Sequence, residues 1–220
     1  MKVGILGSGA VGQALGRGFA GRGHQIMLGT RTPGSEKLNA WRQEVGAVGL
    51  SGTFEETAKF GDIVVLATLG TATVAVLDMA GPSHFAEKLV IDVTNPLDFS
   101  KEGPPGLFVG LTDSLGERVQ RKLPHGKVVK CFNTVPNSVM VDPDLPGGPP
   151  DMIICGDDRE AKRQVTDILG AFGWPSVIDI GGIAEARWLE AFTSLWVRVA
   201  LALDDWHHAF KLLRSEETAR

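Results

Sequence analysis

The chain opens on Lys2-Val-Gly-Ile-Leu-Gly-Ser-Gly-Ala-Val-Gly12, and this stretch constrains the fold more than any other. A short apolar run meets glycines at 7, 9 and 12, and Val11, Leu15 and Phe19 then recur at helical spacing. The pattern predicts a strand, a tight turn and a helix whose first N–H groups have no intrahelical partners. Such a turn receives an anion. Gly7 permits the sharp bend, Gly9 removes the side chain that would block close approach, and Gly12 lets helix and strand pack together. The pyrophosphate of a dinucleotide is the anion that fits.

The end of the second predicted strand discriminates between cofactors. A site for NAD places Asp or Glu there, accepting a hydrogen bond from the ribose 2′-OH. Gly29-Thr30-Arg31 occupies that place, and the next acid is Glu36. Thr30 can donate a hydrogen bond to a 2′-phosphate, and the planar fork of Arg31 can pair with its charge. The expectation is therefore NADP(H). An ordinary surface arginine in a loop is the other reading of Arg31.

A chain of 220 residues can bury a full core, as one large domain or as one domain with an appendage. With 43% hydrophobic and 22% charged residues it has the composition of a water-soluble globular protein. A formal net charge of −4 argues against a nucleic-acid surface. The glycine turn begins too early to leave room for a signal peptide, and the longest apolar run, 195–203, is interrupted by Arg198. Cys131 and Cys155 sit in separate apolar runs and read as small core side chains of a reducing compartment. The expected location is cytoplasmic, with neither nucleic acid nor membrane as partner.

Strand and helix patterns then alternate. Strands are predicted over 3–6, 25–28, 62–67, 89–93, 128–132, 152–155 and 176–180. Helices are predicted over 11–21, 38–45, 54–60, 71–79, 113–123 and 159–172, with a Pro- and Gly-rich loop over 96–111. This alternation predicts an α/β fold, a Rossmann-type doubly wound parallel sheet. From Ile183 no strand signal remains, and Trp188, Leu189, Phe192, Leu195, Trp196, Val199, Leu203 and Trp206 recur at helical spacing. One long or broken helix to about Leu213 is expected, packed on the sheet or on a second subunit. The division is a dinucleotide-binding domain over 1–182 and a C-terminal helical segment over 183–220, with a homodimer as a consequence.

Ligands of open parallel sheets sit outside the carboxyl ends of the strands. The residues there are Ser8 to Ala10, Thr30 and Arg31, Thr68 and Leu69, Thr94-Asn95-Pro96, and the run Asn133-Thr134-Val135-Pro136-Asn137. They suit ribose hydroxyls, a carboxamide and a planar ring edge, although the same residue types are common turn formers. The Asn95–Pro96 bond is a candidate cis peptide. The histidines at 24, 84, 125, 207 and 208 lie in no motif with acids or cysteines, and no metal-ligand motif occurs. The chain has no tyrosine, which excludes a Tyr-x-x-x-Lys acid. Chemistry without a dedicated acid–base residue suits hydride transfer between stacked rings, where positioning supplies the catalysis and no side chain need be catalytic.

Gly7-Ser-Gly-Ala-Val-Gly12, Leu28-Gly-Thr-Arg31, Asp92-Val-Thr-Asn-Pro-Leu97, Lys130-Cys-Phe-Asn-Thr-Val135, Cys155-Gly-Asp-Asp158 and Ala186-Arg-Trp-Leu-Glu190 together resemble the NADP oxidoreductase, coenzyme F420-dependent family. The resemblance covers nearly the whole chain. It implies a Rossmann domain for NADPH, a small helical C-terminal part, a homodimer, and hydride transfer to a flavin-like ring stacked on the nicotinamide. It places Ser8, Ala10 and Val11 in the phosphate turn, Thr30, Arg31 and Lys37 around the 2′-phosphate, and Thr68 and Leu69 at the adenosine ribose and diphosphate. Asn95 with Pro96, and Asn133 with Thr134, fall near the nicotinamide; Val135, Ala184, Leu189 and Thr193 fall where the acceptor rests. Ser8 stands where F420 enzymes tend to have threonine, and Asn133 where a histidine can occur. The acceptor is therefore left open between coenzyme F420, FMN and FAD. Two other readings stand beside it: a reductase of a small imine or carbonyl, and a non-catalytic NADP(H) sensor. Relatives of the imine-reducing type have longer helical C-terminal domains, and those of the dehydrogenase type use a helix-borne lysine. Here Lys211 is the only lysine among the last 50 residues.

Overall fold

Side-chain alternation along the first strand sorts the core into two layers. Val3 and Ile5 join one buried cluster and Leu6 the other, so the strand is covered on both faces. The structure, a computed structural model, describes residues 1–213. The chain begins as a regular alternation: β1 (Lys2–Leu6), α1 (Ala10–Ala20), β2 (Gln25–Gly29), α2 (Asn39–Val45), β3 (Gly49–Gly52), α3 (Phe54–Phe60), β4 (Ile63–Leu66), α4 (Thr73–Ala80) and β5 (Leu89–Asp92). A two-residue ladder, β6 (Leu97–Asp98) with β7 (Gly106–Leu107), precedes α5 (Leu115–Lys122) and β8 (Lys127–Lys130). The chain ends with β9 (Met152–Gly156), α6 (Arg159–Ala171), β10 (Val177–Asp179) and α7 (Ala186–Leu203).

The sheet order is β3-β2-β1-β4-β5-β8-β9-β10. The strands from β3 to β8 are parallel, an order and sense characteristic of dinucleotide-binding domains. On one face α1, α2 and α6 supply Leu15, Phe19, Trp41, Val165 and Leu169. On the other, α3, α4, α5 and α7 supply Phe54, Leu77, Val119 and Leu189. Each fully buried side chain of this kind contributes roughly 1.5–3 kcal/mol. Trp41 is seated by more than burial, because its Nε1 donates to the Gln13 carbonyl at 3.1 Å.

The sheet is not parallel throughout. β9 runs antiparallel to β8, with Gly156 opposite Val129 and Cys155 opposite Lys130, and β10 runs parallel to β9. No helix lies between β8 and β9, so nothing returns the chain to the starting edge, and the next strand runs back. β3 has no counterpart in the sequence reading because Gly-Leu-Ser-Gly lacks β-branched residues and alternation. The expected C-terminal helix stops at Leu203, where Asp204 takes a left-handed conformation with φ of 50°. The chain then folds back on α7: Trp196 Nε1 donates to the His208 carbonyl at 3.1 Å, and the two rings stack with centroids 4.7 Å apart. Of the expected segment 183–220, residues 214–220 lie outside the described residues. Among the described residues no helix is long and apolar enough to cross a membrane.

Candidate functional site

The glycine turn between β1 and α1 has the geometry its spacing implies. Gly7 has φ of +124°, and a Cβ on it would lie 2.2 Å from the Ala67 carbonyl oxygen. A Cβ on Gly12 would lie 2.1 Å from the Gly7 carbonyl oxygen, whereas one on Gly9 would meet nothing within 4 Å. Gly7 therefore makes the bend, Gly12 the close packing, and Gly9 faces open space. Gly9 also occupies the N-cap of α1 without a side chain to bond its N–H groups, so these donors remain for a ligand. Gln13 Nε2 donates to the Ser8 carbonyl at 2.9 Å and steadies the turn.

Above this turn lies a crevice of about 680 Å³ lined by Gly7 to Val11, Gly29 to Arg31, Thr68 and Leu69, with Phe54, Ala72, Ala75, Val76 and Met79 as an apolar wall. Arg31 is the one charged residue lining it among the described residues, and it is exposed. Thr30 is half-buried, its N–H bonded to the Gly52 carbonyl at 3.0 Å, so its side chain is held at the strand end beside Arg31. Lys37 is exposed on the short turn Glu36–Leu38 and is not among the lining residues. The crevice continues, through the shared residues Val11, Ala67, Thr68 and Leu69, into a chamber of about 260 Å³ bounded by Thr94, Asn95, Leu97 and Phe99.

The far end of the chamber is organised by three side chains. Asn95 Nδ2 donates to the Asn133 carbonyl at 2.8 Å, and Asn133 Nδ2 donates to Asn95 Oδ1 at 3.1 Å. Thr193 Oγ1, from α7, lies 3.0 Å from both Asn95 Oδ1 and the Asn133 carbonyl. These partners, with the Leu189 carbonyl 3.0 Å from Asn133 Nδ2, fix which way the Asn133 amide points. They leave Asn133 Oδ1 buried without a hydrogen-bond partner among the described residues, an acceptor that a ligand amide could satisfy. Pro96 is buried, its peptide bond with Asn95 is trans rather than cis, and its carbonyl accepts from Phe108 N at 3.0 Å. Thr134, Val135, Leu189 and Thr193 are buried, and Ala184 is exposed on the turn Ile183–Glu185, which packs on β9 and α5. Large apolar groups that face solvent at the crevice include Leu69, 73% exposed, Phe99, 69% exposed, and Met79. Phe99 was hidden in a segment that reads only as a loop.

Beneath the chamber is an ion cluster that sequence reasoning missed. Lys130, on β8, is fully buried, and its Nζ donates to Asp92 Oδ2 at 3.0 Å, Glu190 Oε1 at 2.8 Å and the Thr94 carbonyl at 2.5 Å. Burial alone would lower the Lys130 pKa, but Asp92 and Glu190 beside it outweigh burial and hold it above the ordinary value. The available signal was a charged residue at the end of each of two strands with apolar centres, Asp92 closing Leu-Val-Ile-Asp and Lys130 closing Lys-Val-Val-Lys. Cys131 and Cys155 are buried, and burial pushes the Cys155 thiol up to about 12.

Six parallel strands in this order, a glycine turn open at Gly9 and a continuous crevice along the strand ends define a dinucleotide-binding protein. A family model described as NADP oxidoreductase coenzyme F420-dependent matches residues 2–96. A protein from Arthrobacter sp. FB24, carrying the provisional name F420-dependent NADP reductase, superposes with a TM-score of 0.93 at 38% identity, covering 97% of this chain and 100% of that one. The F420-dependent NADP reductase of Methanocaldococcus jannaschii is 29% identical over 208 residues, 90% of this chain and 91% of that protein. Metalloreductase STEAP3 of Rattus norvegicus is 29% identical over 195 residues, 86% of this chain but 36% of that protein. The chain belongs to the NADP oxidoreductase, coenzyme F420-dependent family, and is an NADP-dependent oxidoreductase.

Proposed function

We propose that the chain transfers a hydride between NADP(H) and a flavin-type acceptor: coenzyme F420, FMN or FAD. The observation that carries the NADP(H) part is Arg31 as the single charge, with no carboxylate, on the crevice lining among the described residues. A ribose 2′-phosphate would be attracted there, and nothing in the lining offers the carboxylate that favours a free 2′-OH. The residues present fit the cofactor at three points. Gly9 leaves space at the helix N-terminus for a pyrophosphate, Arg31 and Thr30 can hold the 2′-phosphate, and Asn133 Oδ1 can accept from a carboxamide. When bound, NADPH supplies the hydride from its nicotinamide ring. Asn95 and Asn133 orient that ring's end of the crevice, and Leu69 and Phe99 offer an apolar mouth against which a flat acceptor ring can lie and exclude water.

The names of the relatives from Arthrobacter and Methanocaldococcus favour coenzyme F420 among these acceptors. Mixing the protein anaerobically with NADPH and oxidised F420, FMN or FAD in parallel tests the assignment. Turnover with F420 alone selects that coenzyme, and turnover with FMN or FAD selects a flavin reductase. Tight NADPH binding with no turnover of any of the three rejects the flavin-type acceptor. A homodimer belongs to the same reading, because Trp188 and Leu195, seven residues apart on one face of α7, are both exposed. Sedimentation at a monomeric mass at micromolar concentration would reject it.

A further inference from the structure

Lys130 has three protons and three acceptors, two of them carboxylates and the third the carbonyl of Thr94. Asp92 turns its other oxygen to the same threonine: Oδ1 accepts from Thr94 N at 2.9 Å and from Thr94 Oγ1 at 2.6 Å. Every polar group of Thr94 is thus engaged by the pair, and the next residue is Asn95. Glu190 anchors the opposite side. Its two oxygens accept from Leu115 N and Gly116 N at 2.8 Å each, at the N-terminus of α5, where the helix dipole favours an anion. Glu190 lies three residues before Thr193 on α7, so both reach the sheet from one helical face. The cluster therefore ties β5, β8, α5 and α7 together directly under Asn95, Asn133 and Thr193.

A fully buried ion cluster is a poor source of net stability, because desolvation offsets most of the attraction. What it supplies here is placement. We infer that the Asp92–Lys130–Glu190 cluster positions the amides of Asn95 and Asn133 for the nicotinamide half of the cofactor, with Lys130 and Glu190 as positioning residues. The adenosine half, gripped by the glycine turn after β1 and by Thr30 and Arg31 after β2, is held without them. This rests on the NADP(H) reading above. Its consequence is separability: damage to the cluster is felt at one end of the crevice only.

The test titrates the full chain with 2′,5′-ADP, which carries the adenosine half alone, and with NADPH. Glu190→Gln keeps the shape of the side chain and removes its charge. The double variant Asp92→Asn with Lys130→Met removes the Asp92–Lys130 pair and leaves the Glu190 carboxylate on the N–H groups of Leu115 and Gly116 at the N-terminus of α5, and it stands in if the first does not fold. The expected result is a Kd for 2′,5′-ADP within about twofold of the parent and a Kd for NADPH weakened by roughly tenfold, as for the loss of one or two buried hydrogen bonds. A cluster that only stabilises the fold would lower the melting temperature and leave the ratio of the two Kd values unchanged, which would overturn the inference. A parent chain that bound 2′,5′-ADP no more weakly than NADPH would overturn it too, since no nicotinamide contribution would exist to lose. A parent that bound neither would overturn the NADP(H) reading itself, and the inference with it.

Discussion

Arg187 and Glu117 meet in a two-pronged ion pair, Nε 2.8 Å from Oε2 and Nη2 2.6 Å from Oε1, which joins α7 to the first turn of α5. The Arg187 hydrogen bonds hold the Glu117 carboxyl below its ordinary value of 4.5, against the opposing effect of burial and with help from Ser114. A depressed carboxyl contributes stability that is present above its unfolded pKa and is lost as pH falls through the folded one. Melting temperatures followed from neutral pH downwards should therefore fall below about pH 4.5, and Glu117→Gln should flatten that acid limb while lowering the neutral plateau. An acid limb identical in parent and variant would show that the pair contributes nothing.

Arg31→Glu should separate the two nicotinamide cofactors. On the proposed reading, the substitution replaces a partner of the 2′-phosphate with a repelling carboxylate and leaves the pyrophosphate site untouched. NADPH should weaken by roughly 10- to 100-fold, the magnitude of a lost charge-assisted interaction, while NADH changes little. Equal losses for both cofactors in a calorimetric titration would contradict the role given to Arg31.

Two glycines of one turn should fail in opposite ways. A side chain on Gly9 points into open space, so Gly9→Val should fold with near-parental stability and bind neither NADPH nor NADH. A Cβ on Gly12 collides with the Gly7 carbonyl, so Gly12→Ala should lose about 1–3 kcal/mol of stability, as overpacked sites do. Denaturant midpoints read beside cofactor titrations distinguish the two. Normal NADPH binding by Gly9→Val would mean that the turn is structural only.

The cysteines should be silent. Burial raises the Cys131 pKa well above the ordinary thiol range and pushes Cys155 up to about 12, so neither forms appreciable thiolate near neutral pH. Alkylating reagents should label the folded protein slowly, label the denatured protein at both positions, and leave turnover unaffected. Rapid labelling of the native protein would show that the strands carrying them open.

The parts of the fold legible in the sequence are those written locally. The glycine turn is read from spacing and β4 from the continuous apolar run; α3, expected over 54–60, opens in the structure on a capping box of Thr53 with Glu56. Strand direction is not written locally. Met152 to Cys155 is equally apolar whichever way it runs, and its sense follows from the missing helix before it. The end of α7 escaped because Trp206 continues the helical spacing beyond Leu203, while Asp204 reverses the backbone. At the site, Thr30, Arg31, Thr68 and Asn95 fall on the crevice because strand ends are predictable. Lys37, exposed on the turn Glu36–Leu38, does not, and the Asp92–Lys130–Glu190 cluster was invisible because its members lie up to 98 positions apart in sequence and meet only in the folded chain.

The reversal at β9 has one more consequence. Beyond β8 the described strands do not deliver their carboxyl ends to the crevice, and the segment 131–151 and α7 reach Asn95 at its far end instead, through Asn133 and Thr193. Those pieces are not bound by the register of the sheet. On the proposed reading, the half that grips the nucleotide and the half that meets a second molecule are thus built from materials with different freedom to vary. Substitution in the latter can alter which molecule is admitted while the machinery that holds the dinucleotide stays as it is, so a single scaffold can be retuned to new redox partners one loop and one helix at a time.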